Sequence, residues 1–286
     1  MRLEASEQMS NFGIGADVKN VGLSKAIKCR HSSYTHQVVS LMHNWATGRA
    51  WRAHAGAVCS FFALLTMTNA SPNEELPMIP REGQLVLFGD SITEYGDQPD
   101  GWVHILRRKL AGELGRPDIT IVNAGQGGDV VQDLHRRFFW RKWRQPDVVV
   151  LCIGINDARR VAGLGFADLD LQEYREGLDS LLGKLQGSGA TVVVASPIAS
   201  GEQMRGRNAL DSIVDAYARA AGEVAGSRGA PFIDMRSVFF DRLSRVNLSD
   251  RPFGVLTYDG LHLNKAGNAL MAETVLGKLR ALARQK

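Results

Sequence analysis

Beyond residue 80 the apolar positions along the chain follow two alternating rhythms. Short, nearly unbroken apolar runs stand at Gln84–Phe88, Ile119–Val122, Asp147–Ile153, Thr191–Ala195 and Pro231–Ile233. They are too brief for helices and read as strands. The third is almost entirely Val, Leu and Ile, which suits a parallel strand buried on both faces. Between the runs, apolar residues recur at spacings of three and four. Trp102, Ile105, Leu106 and Leu110 form one such face, Tyr174, Leu178, Leu181, Leu182 and Leu185 a second, and Ile213, Tyr217 and Val224 a third. A last helix starts near Lys265, with Leu270, Val275, Leu279 and Leu282 inward and Asn264 placed to cap it. Strands alternating with helices predict one α/β domain over residues 81–286, its five-stranded parallel sheet covered on both sides.

The first 80 residues are patterned differently. Residues 1–41 show neither periodicity and read as an unstructured extension. Arg49 and Arg52 are then followed by an apolar run from Ala55 to Met67 and by Thr68-Asn69-Ala70. A basic flank, a short apolar stretch and a small-residue site make up the layout of a secretory signal peptide. The run is shorter than the ~20 residues a permanent membrane helix needs, so no stable membrane anchor is expected. Its alternative reading is a buried helix of the folded domain. A signal placed this far along implies that translation starts at Met42, that residues 42–70 are the signal, and that the protein is exported. Residues 71–80 (SPNEELPMIP) are polar with three prolines and read as a lead-in segment.

Charge and cysteines narrow the function classes. The sequence pI near 9.0 suggests an anionic partner. However, residues 1–70 hold seven Lys/Arg and three Asp/Glu, an excess equal to the net +4 of the whole chain. The body is therefore formally neutral and offers no footprint for nucleic acid. Of three cysteines only Cys152 lies beyond residue 70, within an apolar run. It reads as a core thiol, and the cysteine spacing gives no metal cluster.

The candidate chemistry sits at the ends of the predicted strands, where open parallel sheets gather their functional groups. Gly89-Asp90-Ser91 follows the first strand. Gly89 allows a sharp turn, and Ser91 is either an exposed nucleophile or a helix N-cap. A serine nucleophile needs a base, and the base needs an orienting group. Beyond residue 70 the histidines are His104, in a helical stretch, His135, in a basic run, and His262, in Asp259-Gly260-Leu261-His262 just before the last helix. Asp259 on the same short turn can hold Nδ1–H and leave Nε2 for the serine proton; the bland alternative is an Asp-Gly turn with an incidental histidine. Two further segments could stabilise an oxyanion or be simple turns. Asn123-Ala124-Gly125-Gln126-Gly127-Gly128-Asp129 follows the second strand, and Gly154-Ile155-Asn156-Asp157 follows the third. As an anion cradle the glycine loop lacks both the phosphate-loop ending and the dinucleotide spacing. The run from His135 to Arg144 is the one basic and aromatic cluster of the body. It could stack on sugar rings or rest on lipid headgroups. It could equally be an amphipathic helix with Phe and Trp inward and Arg snorkelling out, the reading preferred here.

These four blocks, in this order, resemble the GDSL family of SGNH hydrolases over about residues 83–283. The resemblance implies a flavodoxin-like three-layer α/β/α sandwich. It implies Ser91 as nucleophile, His262 as base and Asp259 as its orienting group. It also implies an oxyanion hole from the N–H groups of Ser91 and Gly128 and the amide of Asn156, with Gly125 the alternative glycine donor. The activity it implies is two-step hydrolysis of carboxylic esters through an acyl-serine, with no metal or organic cofactor required. Similar proteins act on acetylated carbohydrates, small alkyl or aryl esters, lysophospholipids and thioesters. Export weights the choice toward acetyl groups on polysaccharides. Other outcomes are an acyltransferase on the same serine and a non-catalytic ligand-binding module.

Overall fold

The computed structural model describes residues 76–139, 143, 145–164 and 167–284. The expected extension (1–41) and signal segment (42–70) lie outside the described residues. Five parallel strands form one sheet: β1 (Gln84–Gly89), β2 (Thr120–Gly125), β3 (Val148–Cys152), β4 (Thr191–Ala195) and β5 (Phe232–Ile233), in the order β2-β1-β3-β4-β5. This is the flavodoxin-like order, which reverses between β1 and β3 and opens a crevice at the strand C-termini. The central strands show why: β3 is buried along its full length, as its unbroken apolar sequence requires.

Eight helices are assigned among the described residues: α1 (Ser91–Glu94), α2 (Trp102–Gly112), α3 (Val131–Phe139), α4 (Ile155–Leu164), α5 (Ala167–Gly187), α6 (Asp211–Ser227), α7 (Met235–Val246) and α8 (Lys265–Ala283). The leucine face of α5 is buried at Leu178, Leu181, Leu182 and Leu185, and that of α2 at Trp102, Leu106 and Leu110. Asn264 caps α8 by accepting from the N–H groups of Ala266 and Gly267. Two elements were not expected. α4 begins inside the Gly-Ile-Asn-Asp block that reads as a turn, with Ile155, Ala158 and Val161 buried at helical spacing. α7 follows β5 directly and is capped by the Asp234 side chain, which accepts from Ser237 N–H.

The lead-in segment also differs from its reading. Leu76, Met78 and Ile79 are buried in the common core, so packing begins before residue 81. Two aromatic residues of the basic-aromatic run turn inward. Phe138 and Trp143 are buried, and Trp143 meets Phe88 edge-on at 5.0 Å. His135 Nε2 lies 2.7 Å from the Gly177 carbonyl. Arg137 pairs with Asp129. Phe138 and Trp143 inward and Arg136 outward match the amphipathic reading, whereas Arg137 turns inward; residues 140–142 and 144 lie outside the described residues.

Candidate active site

The four blocks lie at the C-terminal edge of β1, β2 and β3 or in the loop before α8. β1 ends at Gly89, where a β-carbon would stand 2.3 Å from the Cys152 carbonyl oxygen on the neighbouring strand. Only glycine lets the chain turn there. The next residue, Asp90, is the N-cap: its Oδ1 accepts from Ile92 N–H at 2.9 Å. The capping role weighed for Ser91 therefore belongs to Asp90, and Ser91 becomes the first residue of α1. An N–H at that position has no partner within the helix and is available as a donor.

Ser91 Oγ lies 3.2 Å from His262 Nε2. On the other side of the ring, Nδ1 lies 2.7 Å from Asp259 Oδ2. Asp259 Oδ1 also accepts from the N–H groups of Leu261, at 2.9 Å, and His262, at 2.7 Å. Partial burial pushes the Asp259 carboxyl up. The hydrogen bonds from the ring and from these two N–H groups outweigh it and hold the group down at about 2. The carboxylate is thus ionised at any ordinary pH and fixes the imidazole with Nδ1 as donor, leaving Nε2 facing the serine. The Tyr95 ring stands 5.3 Å from that of His262. By contrast, His104 lies within α2, away from these contacts, and His135 is engaged by Gly177 and by Lys184.

The glycine loop is fastened beside the serine. Gln126 N–H donates to the Gly89 carbonyl at 3.1 Å, and Gly127 N–H donates to Glu94 Oε2 at 2.8 Å. A β-carbon on Gly127 would come within 3.8 Å of Ser91 Cβ. The Gly125 N–H is committed to Asn123 Oδ1 at 2.9 Å, which counts against Gly125 as a donor to a ligand. Gly128 has φ +79, a conformation that glycine adopts freely. Asn156, in the first turn of α4, donates one amide hydrogen to the Asp129 carbonyl at 3.0 Å. A primary amide has two hydrogens, so one remains for a ligand. Glu94 was not singled out from the sequence, although its position three residues after Ser91 on a helix is a signal for a shared face.

A dense ionic layer lies beneath these donors. Arg137 donates to Asp129, to the Ala124 carbonyl at 3.0 Å and to the Gly89 carbonyl at 3.1 Å, and its guanidinium stands 5.1 Å from the Phe88 ring centre. Burial pushes Asp90 up to about 7, against the Ile92 N–H and with the charges on Asp157 and Asp129 adding to the rise. Burial likewise raises Asp157 to about 6. Burial also pushes the Cys152 thiol far above its ordinary range, which suits the core role expected of it.

In front of Ser91 and His262 opens a cavity of about 370 Å³. Tyr95, Gln98, Asp100, Tyr258 and Lys265 are among its walls. Tyr258 is 70% exposed. The Ser91 hydroxyl and the His262 ring thus face one small, open space together with Asp259.

Comparison with known proteins points the same way. The sequence profile described as the GDSL-like Lipase/Acylhydrolase family matches residues 87–270. The human protein named isoamyl acetate-hydrolyzing esterase 1 homolog is 26% identical over 205 residues, covering 66% of this chain and 77% of that protein. Among solved structures, the acetyl xylan esterase AlAXEase superposes with a TM-score of 0.64 at 28% identity, covering 68% of this chain and 98% of that one. A variant of an acetyl xylan esterase from Geobacillus stearothermophilus superposes with a TM-score of 0.61 at 25% identity, covering 71% and 96%.

Proposed function

Because this chain belongs to the GDSL-like lipase/acylhydrolase family and is an esterase, we propose that it cleaves short acyl esters, acetyl groups on carbohydrates above all, through an acyl-serine on Ser91. The observation that carries this reading is the 3.2 Å approach of Ser91 Oγ to His262 Nε2, with Asp259 2.7 Å behind the ring. Ser91 attacks the ester carbonyl as His262 Nε2 takes its proton. The oxyanion accepts from the N–H groups of Ser91 and Gly128 and from the free amide hydrogen of Asn156. Collapse passes the proton from His262 to the leaving alcohol, and a water activated by the same ring then releases the acid.

The cavity supports the choice of substrate. Its volume suits a small acyl group, and its wall of tyrosine rings, Gln98, Asp100 and Lys265 offers stacking faces and polar partners to a polyhydroxylated alcohol. The named activities of the acetyl xylan esterase relatives point to the same class. Export through residues 42–70 belongs to this proposal, since polysaccharide esters lie outside the cell. Among the described residues no helix is long and apolar enough to cross a membrane.

The test is acetate release from acetylated xylooligosaccharides, set beside aryl acetates, lysophospholipids and a sugar acceptor. Wild type is expected to release free acetate without an acceptor, and Ser91→Ala to release none while keeping its melting temperature. Equal turnover by the two proteins refutes the nucleophile. Acyl transfer only in the presence of acceptor refutes the hydrolase.

A further inference from the structure

We infer that Glu202 is a positioning residue for the Asp259–His262 pair, acting through Thr257; the inference rests on the catalytic reading of that pair given above. The loop between α7 and α8 carries both residues, and within it the described pairing is a single isolated bridge between Thr257 and Leu263. Side-chain acceptors therefore have to do what a ladder does elsewhere. Glu202 lies 57 residues before Asp259 in sequence and is 2% exposed. Its Oε2 accepts from Val255 N–H at 2.7 Å. Its Oε1 accepts from Leu256 N–H at 2.7 Å, Thr257 N–H at 2.5 Å and the Thr257 hydroxyl at 2.6 Å. A carboxylate is a pure acceptor with about four lone-pair positions, and this one meets four donors, all from residues 255–257.

The Thr257 hydroxyl extends the chain of contacts into the catalytic turn. While donating to Glu202 it accepts from Gly260 N–H at 3.0 Å, between Asp259 and His262. The Gly260 carbonyl in turn accepts from Gly201 N–H at 2.7 Å, next to Glu202 itself. Tyr258 N–H donates to the His262 carbonyl at 2.8 Å and closes the turn. The Glu202 main chain is held as well: its N–H donates to the Pro252 carbonyl at 3.0 Å, and its carbonyl accepts from the Asn247 amide at 2.7 Å. The height of the imidazole over Ser91 is thus set by a buried acid that touches neither the ring nor the serine.

Glu202→Gln keeps the shape but sets an N–H₂ group against one of these donors. Thr257→Val removes the relay hydroxyl, and Thr257→Ser keeps it. The experiment compares kcat and KM of the full chain on an aryl acetate, normalised to active sites, together with melting temperatures. A displaced base predicts that Thr257→Val and Glu202→Gln lose roughly 10- to 100-fold in kcat with a much smaller change in KM. Thr257→Ser is expected to regain most of the loss. Should Glu202→Gln fail to fold, the Val and Ser variants decide alone. Lower melting temperatures with kcat per active site intact overturn the inference, as does a Thr257→Ser enzyme no better than Thr257→Val. Ser91→Ala run alongside separates the two claims: activity retained there refutes the catalytic reading itself, whatever the Glu202 variants do.

Discussion

The side-chain amide of Asn156 is 3.0 Å from the main-chain oxygen of Asp129, so the third strand's donor is strapped to the second strand's glycine loop. The strap orients the amide before any substrate arrives, and preorganised donors need no rearrangement as charge develops. Asn156→Ala is expected to lower kcat by roughly 10²–10³ while leaving KM nearly unchanged. Steady-state kinetics on an aryl acetate measure this. A change confined to KM would assign Asn156 to ground-state binding instead.

Gly128 separates backbone strain from crowding. A β-carbon there meets nothing within 4 Å, yet φ is +79. Gly128→Ala is expected to fold with a loss of about 1–2 kcal/mol from the left-handed conformation alone, and to lose kcat if the N–H swings away. Denaturant titration and kinetics on the same preparation give both numbers.

Arg137 holds the layer below the donors. Asp129 is almost wholly covered and Arg137 is its partner, so Arg137→Ala leaves a buried carboxylate with its main cation gone. The expected cost is about 3–5 kcal/mol in denaturant unfolding. Arg137→Lys is expected to recover little, since one ammonium cannot reach Asp129 and the carbonyls of Ala124 and Gly89 together.

Asp90 and Asp157 predict a pH dependence of stability. Folded Asp90 keeps its proton up to about 7, and the unfolded chain gives it up near 3.8. Between those values the folded state binds more protons, so stability falls as pH rises. Asp157 contributes in the same direction up to about 6. Melting temperature is therefore expected to decline between about pH 4 and pH 7. Asp90→Asn, which can still accept from Ile92 N–H, should remove the part of the decline above pH 6. A decline unchanged in that variant assigns it to other groups.

The sheet was legible because its inner strands β1, β3 and β4 are buried almost throughout and written almost entirely in apolar residues. The Ser91, Asn156 and Asp259–His262 positions were legible because each sits at a strand end or before a helix in a block of fixed spacing. α4 was hidden because its N-terminal turn coincides with the Gly-Ile-Asn-Asp block, so turn chemistry masked the spacing of Ile155, Ala158 and Val161. α7 carried a usable signal, Asp234 three residues before Ser237, that the short β5 obscured. Glu202 left no trace in the sequence: its donors lie 53 to 55 residues downstream, and no local pattern encodes such a pairing. The inward course of Phe138 and Trp143 follows the preferred amphipathic reading of the run, and their packing in the core bears it out for those two rings.

The most direct test of the account is to catch the acyl group on the protein. Rapid acid quench during turnover of an aryl acetate, followed by peptide mass analysis, is expected to find one acetyl group on the peptide containing Ser91. The adduct should be absent in Ser91→Ala and should persist longer in His262→Ala if acylation is driven by a highly activated ester. Sustained ester cleavage with no adduct on Ser91, or an adduct on another side chain, contradicts it.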